Sequence, residues 1–125
     1  MIICAGESLI DMVSFATENG EVQYTPHVGG SILNSAIALG RLGADAYYCG
    51  AVSNDTFGHL IENCLRDSKA QEDFVIKTNR PTTLAYADVT DGVAKYRFVD
   101  EHSAGRLIDE DSLKPFVNKI KNAKA

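Results

Sequence analysis

Between Ile2 and Lys77 short apolar runs alternate with longer stretches of helical spacing, and this alternation constrains the fold more than any other feature of the chain. IICA (2–5), AYYCGAV (46–52) and DFVIK (73–77) read as buried strands. GGSILNSAIALGRLG (29–43) and residues 56–69 read as helices between them. The resulting β-α-β-α-β order predicts a parallel sheet with helices packed on it. The first helix is apolar around most of its circumference, which predicts deep burial. Ser31 is a candidate cap at its start, and Gly43 ends it as a C′ residue. Asp55 is placed to cap the second helix, with Leu60, Ile61, Cys64 and Leu65 on one face. The rhythm breaks after residue 77. Residues 82–90 and 93–99 flank Asp91-Gly92, the strongest short hairpin signal. A second small hairpin fits within 14–28 around Asn19-Gly20. Residues 112–124 read as a helix with Leu113, Phe116, Val117 and Ile120 on one face. Pro115 is tolerable only in its first turn, so it starts near Asp111 or Ser112.

Composition sets the remaining bounds. The 125 residues are 45% apolar and 23% charged, enough for one domain with a real core. A net charge of -5 disfavours a general nucleic-acid or anionic-membrane partner. No segment approaches the roughly 20 apolar residues of a membrane span. MIICAGESLIDMV lacks a basic leader region and is cut by Glu7 and Asp11, so it reads as a strand rather than a signal peptide. Cys4, Cys49 and Cys64 are far apart, which suggests neither zinc nor a disulfide framework and points to the cytoplasm. Each reads as a small buried hydrophobe.

Few residues carry chemistry on spacing alone. Gly29-Gly30 opens a helix, where bare glycine backbone and a positive dipole end suit anions or hydroxyl-rich ligands. Taken alone, the pair reads first as a tight turn needing positive φ. It is neither a dinucleotide fingerprint nor a phosphate loop with Gly-Lys-Ser/Thr. Asn34, on the first turns of that helix, can donate and accept hydrogen bonds toward a cleft, or be satisfied by backbone. Asp11 follows the first strand by a few residues, in the region where open α/β sheets bind ligands, and its carboxylate can accept hydroxyl hydrogen bonds. A turn or cap role is the alternative. The stretch DEHSAGR (100–106) reads as a solvated acidic loop, because adjacent residues do not converge on one metal. His27, His59 and His102 lack ligand spacing, and Ser8, Ser31 and Ser103 lack a nucleophile-elbow context.

These segments together resemble the ribokinase or PfkB-type carbohydrate kinases. GGSILNSAIALGRLG is similar to the family's first signature region, and CGAVSNDTFGHLI to its second landmark, through Gly50, Val52, Asp55, Phe57 and Gly58. Ser53-Asn54 departs from the glycine often found there. CAGESLIDM resembles the family's first strand with its sugar-binding Asp, and RPTTLAYADVTDGVAKYRFVDEHSAGR its lid strands. Within the family the nearest likeness is to bacterial fructokinases.

The resemblance implies an α/β class: the parallel βαβ core of a ribokinase-like fold, truncated, with a small β-sheet lid whose strands lie within 14–28 and 82–99. It implies that Asp11 binds sugar hydroxyls, that Gly29 and Gly30 give backbone contact, that Asn34 gives a side-chain contact, and that Phe98 or a neighbour covers the sugar face. ATP and Mg²⁺ would be the cofactors, with most of their site outside this chain. The general base belongs to a downstream Gly-Ala-Gly-Asp motif absent from these residues, so no catalytic residue is expected here. Expected partners are a sugar, the missing C-terminal half or a second copy, and a homodimer through the lid. Alternatives within and beyond the family are a nucleoside or keto-deoxygluconate kinase, and a non-catalytic sugar-binding or assembly fragment.

Overall fold

In the computed structural model the described residues are 1–90 and 93–125, with the side chains of Val89, Thr90 and Ala94 also left out. The Asp91-Gly92 turn therefore lies outside the described residues. In chain order the elements are β1 (Ile2–Ala5), β2 (Leu9–Ala16), β3 (Val22–Gly29), α1 (Ser31–Arg41), β4 (Ala46–Ser53), α2 (Thr56–Asp67), β5 (Gln71–Thr78), β6 (Thr83–Thr90) and β7 (Val93–Val99). A short C-terminal run adds α3 (Glu110–Leu113) and α4 (Val117–Ile120).

Two sheets result. The first has the order β1-β4-β5, all parallel, as the alternating pattern predicts. Its middle strand is buried from Tyr48 to Ser53, which explains why AYYCGAV is a continuous apolar run rather than an alternating one. The second has the order β3-β2-β6-β7. Its hairpins β2/β3 and β6/β7 are joined by a parallel pairing of β2 with β6. β2 begins at Leu9, earlier than the polar 14–28 segment suggests, so both strands of that hairpin are eight residues long. The sheets share one core. Ile10 of β2 joins Leu33, Ala36 and Ile37 of α1, Tyr48 and Val52 of β4, and Ile61 and Leu65 of α2.

Helix α1 is less buried than its sequence predicts. Leu33, Ala36, Ile37 and Gly40 form one buried stripe, while Ser31, Asn34, Ser35 and Ala38 are exposed. Alanine and serine on the outer face raise the apparent apolar coverage but lose little when solvated. Ser31 is the first helical residue rather than the cap, since Gly30 is the N-cap and no side chain caps the helix. Asp55 caps α2 as its position predicts.

The C-terminal helix is broken. A 3₁₀ turn at Lys114–Phe116 separates α3 from α4, because Pro115 has no N–H to continue the ladder. Its start is set by Asp109, whose carboxylate accepts from Ser112 N while Ser112 Oγ accepts from Asp109 N. Phe116 meets Phe74 edge-on at 5.5 Å. The final residues reach the outer edge of β1, through Ile3 N to Ala125 O at 2.8 Å and Lys124 N to Met1 O at 3.0 Å. Cys49 is buried, but Cys4 and Cys64 are only half-buried, and all three are free thiols. Among the described residues no helix is long and apolar enough to cross a membrane.

Gly40 marks where α1 approaches the turn after α2 most closely. A Cβ there would overlap the Ser68 carbonyl and lie 2.9 Å from Ala70 N. Gly40→Ala is therefore expected to destabilise the chain by about 1–3 kcal/mol through overpacking, against the roughly 1 kcal/mol that alanine gains over glycine in helix propensity. A urea unfolding midpoint at or above that of the unsubstituted chain would contradict this packing.

Candidate functional site

Asp11 lies within β2, not in a loop beyond β1, and this corrects the sequence expectation. It is the third residue of the strand, half-buried, paired with His27 of β3 on one side and Ala85 of β6 on the other. Ala85 in turn pairs with Phe98 of β7. Residues directly opposite one another share a sheet face, so His27, Asp11, Ala85 and Phe98 form one row across all four strands. Neighbouring Ile10, fully buried, and Met12 face the other way, where Ile10 belongs to the core and Met12 packs against it.

The row has a definite relief. Ala85, between Asp11 and Phe98 in the row, is buried and contributes only a methyl group. Phe98 is exposed and stacks on Tyr96, with ring centroids 6.5 Å apart and planes 22° apart. Burial pushes the Asp11 carboxyl above its ordinary range, and the nearby His27 opposes that rise.

The two glycines do different jobs. At Gly29 the constraint is space, because a Cβ would overlap Asp11 Oδ2, so the carboxylate lies where a side chain would be. At Gly30 the constraint is conformation, with φ at +108°, a region that disfavours side chains. A Cβ at Gly30 would also sit 3.0 Å from the Glu7 carbonyl. Gly30 O receives Asn34 N at 2.9 Å to begin α1, and the Asn34 side chain is exposed on that first turn. The chain thus runs from the Asp11 row directly into an uncapped helix N-terminus, whose first N–H groups have no intrahelical partner. Gly29→Ala should push the carboxylate out of its recess. Its titration, followed by the Asp11 carboxyl ¹³C resonance, is expected to move down toward the ordinary carboxylate range. An unchanged titration would show that the recess is not what holds Asp11.

His27 is the member of the row that spacing arguments passed over. Its lack of metal-ligand spacing said nothing about its register with Asp11. The available signal was its place two residues before Gly29, which in a strand puts both on one face.

Asp55 fixes the second sheet to the first. Its carboxylate accepts from Gly58 N at 2.8 Å, Thr82 N at 2.9 Å and Thr82 Oγ1 at 2.7 Å, so one group caps α2 and anchors the chain entering β6. Burial would raise its pKa, but the hydrogen bonds from Thr82 and Gly58 outweigh this and hold it below the ordinary carboxylate range. A depressed native pKa stabilises the fold above the unfolded value of about 4, and that contribution is lost as pH falls through the native value. Asp55→Ala should cost about 1–2 kcal/mol at neutral pH, with the gap to the unsubstituted chain narrowing as pH drops below 4. A gap constant with pH would show that the carboxylate charge is not involved.

Comparison with known proteins agrees with this architecture. The profile of the pfkB family carbohydrate kinases matches residues 1–125. A fructokinase from Rhizobium leguminosarum bv. trifolii is 41% identical over 108 residues, covering 86% of this chain and 33% of that protein. A probable fructokinase-5 from Arabidopsis thaliana is 32% identical over 130 residues, covering 97% of this chain and 39% of that protein. In structure, the fructokinase from Xylella fastidiosa solved with bound ATP superposes with a TM-score of 0.81 at 25% identity, over 89% of this chain and 36% of that one. The chain spans about a third of the length of the curated relatives it matches.

Proposed function

Because the chain belongs to the pfkB family of carbohydrate kinases, we propose that it is the sugar-recognition portion of an ATP-dependent kinase that phosphorylates a hydroxyl of fructose. The observation that carries this reading is the row of Asp11, Ala85 and Phe98 across the second sheet. A sugar ring presents an apolar face and a polar edge. An aromatic ring beside a carboxylate, with only a methyl group between them, matches both. The names of the relatives supply the sugar.

In this proposal the second sheet is the lid over the sugar, and Asp11 accepts hydrogen bonds from sugar hydroxyls. Gly29 and Gly30 contribute backbone contacts, Asn34 contributes its carboxamide, and Phe98 covers the apolar face. ATP would be the phosphoryl donor, with Mg²⁺ offsetting phosphate charge and positioning dominating the reaction. This chain has no phosphate-cradling Gly-Lys-Ser/Thr loop, and among the described residues no three His, Cys, Asp or Glu side chains could hold a metal ion. No step of phosphoryl transfer and no general base is assigned to it. The lid is also the surface proposed for a homodimer, and the cytoplasm the proposed compartment.

The test is kinetic, in a kinase containing this chain. Asp11→Asn is expected to raise the fructose KM roughly 10- to 100-fold, the effect of losing a charged acceptor from a hydroxyl, while the ATP KM stays nearly constant. Equal losses toward both substrates would make Asp11 structural. A substrate panel in which a nucleoside or keto-deoxygluconate outperforms fructose would replace the sugar.

A further inference from the structure

We propose that His27 is a specificity-determining residue of the Asp11 row, reading a second hydroxyl of the ketohexose beside the one that Asp11 takes. The inference rests on the reading of that row as a sugar site and extends it by one residue. His27 stands directly opposite Asp11 in the β2/β3 register. Side chains so paired have Cβ atoms roughly 4.5–5.5 Å apart, so both can reach one small ligand.

The imidazole is exposed, and among the described residues it makes no hydrogen bond to the protein. Its interaction with the fold is electrostatic, with the Asp11 carboxylate opposite it. The other basic residues of this sheet are turned away. Lys95 and Arg97 of β7 are in register with Asp88 and Tyr86, on the opposite face, where Arg97 lies over the Tyr86 ring at 5.6 Å. His27 is therefore the one nitrogen-bearing side chain in the row.

Its chemistry complements that of its neighbour. A carboxylate only accepts, so it discriminates poorly among hydroxyls that all donate. An imidazole holds its nitrogens at fixed ring positions, so it distinguishes a hydroxyl pointing toward it from its epimer pointing away. The direction of the Asp11 carboxylate supports this division. That group leans into the recess at Gly29, toward the body of the molecule, leaving the outer part of the row to His27.

The experiment is a titration of the ¹⁵N-labelled chain with D-fructose and with its C3 and C4 epimers, D-psicose and D-tagatose, for the unsubstituted protein and for His27→Ala, His27→Gln and Asp11→Asn. The expected result is saturable shifts at the Asp11, Gly29 and Gly30 amides with fructose. His27→Ala should weaken fructose about fivefold, in line with one neutral hydrogen bond, and weaken at least one epimer much less. His27→Gln should recover most of the loss. Unchanged amides at Tyr48 and Phe74 report that each variant is folded. If Asp11→Asn abolishes binding but His27→Ala leaves it unchanged, or weakens all three sugars equally, the proposal is overturned and the reading of the row as a sugar site stands. If the unsubstituted chain gives no saturable shift, the sugar-site reading falls and the proposal with it.

Discussion

One carboxylate, Asp55, settles how the two sheets sit against each other. The second sheet is built from two separate excursions of the chain, so its orientation depends on what holds the crossings. Residues 79–82 enter β6 held by two hydrogen bonds from Thr82 to Asp55, which a third ties to Gly58 of α2. Residues 6–8 enter β2 beside Tyr48, whose buried hydroxyl donates to Gly6 O at 2.9 Å. Residues 100–103 leave β7 and are caught by the buried Thr83–Ser103 hydroxyl pair at 2.8 Å and by Ala104 N to Pro81 O at 2.8 Å. Among these, the bonds to Asp55 are the charge-assisted ones, and such bonds are roughly twice as strong as neutral ones. With Ile10 inserted in the common core, the sheet is held at its root and by its inner face. The opposite face, bearing Asp11, is then presented at a set angle next to the start of α1.

That placement asks something unusual of Asp11. Aspartate is depleted in strands, and a half-buried carboxylate is disfavoured by desolvation, as its raised pKa records. Two features make the position tolerable. Gly29 leaves room for the carboxylate, and His27 lowers the electrostatic penalty. Under the proposed function, a residue kept in a strand against its propensity, with a glycine reserved for it, serves the ligand rather than the fold.

The parts of the fold legible in the sequence are those written by local pattern. The apolar runs at 46–52 and 73–77, the Asp55 cap and the Asp91-Gly92 hairpin signal each sit within a few residues. The parallel pairing of β2 with β6 was hidden, because Leu9 and Thr83 are far apart in sequence and nothing in either strand names its partner. The start of β2 was obscured by the polar Asp11 itself, which reads as the end of a strand rather than its middle. The breadth of α1 was overstated because alanines count as apolar wherever they face. The Asp109–Ser112 box was missed because serine stands where glutamate is usual at the third helical position. For the site, Gly29-Gly30 was visible as a single feature, but the separate reasons for the two glycines needed coordinates. His27 required the register, which only the folded chain supplies.

The electrostatics of the row and of the helix beside it narrow the kind of ligand further. Asp11 accepts hydrogen bonds and repels anions. The N-terminus of α1, two residues beyond Gly29, offers N–H donors and the positive end of a helix dipole. A purely anionic ligand would satisfy the helix and offend the carboxylate, and a cation would do the reverse. A hydroxyl donates to one and accepts from the other. A compact molecule with several hydroxyls on adjacent carbons meets both demands at once, and its apolar ring face is left for Phe98. Under the proposed function, the juxtaposition of Asp11 with an uncapped helix start therefore favours a neutral polyol over either class of ion at this end of the molecule.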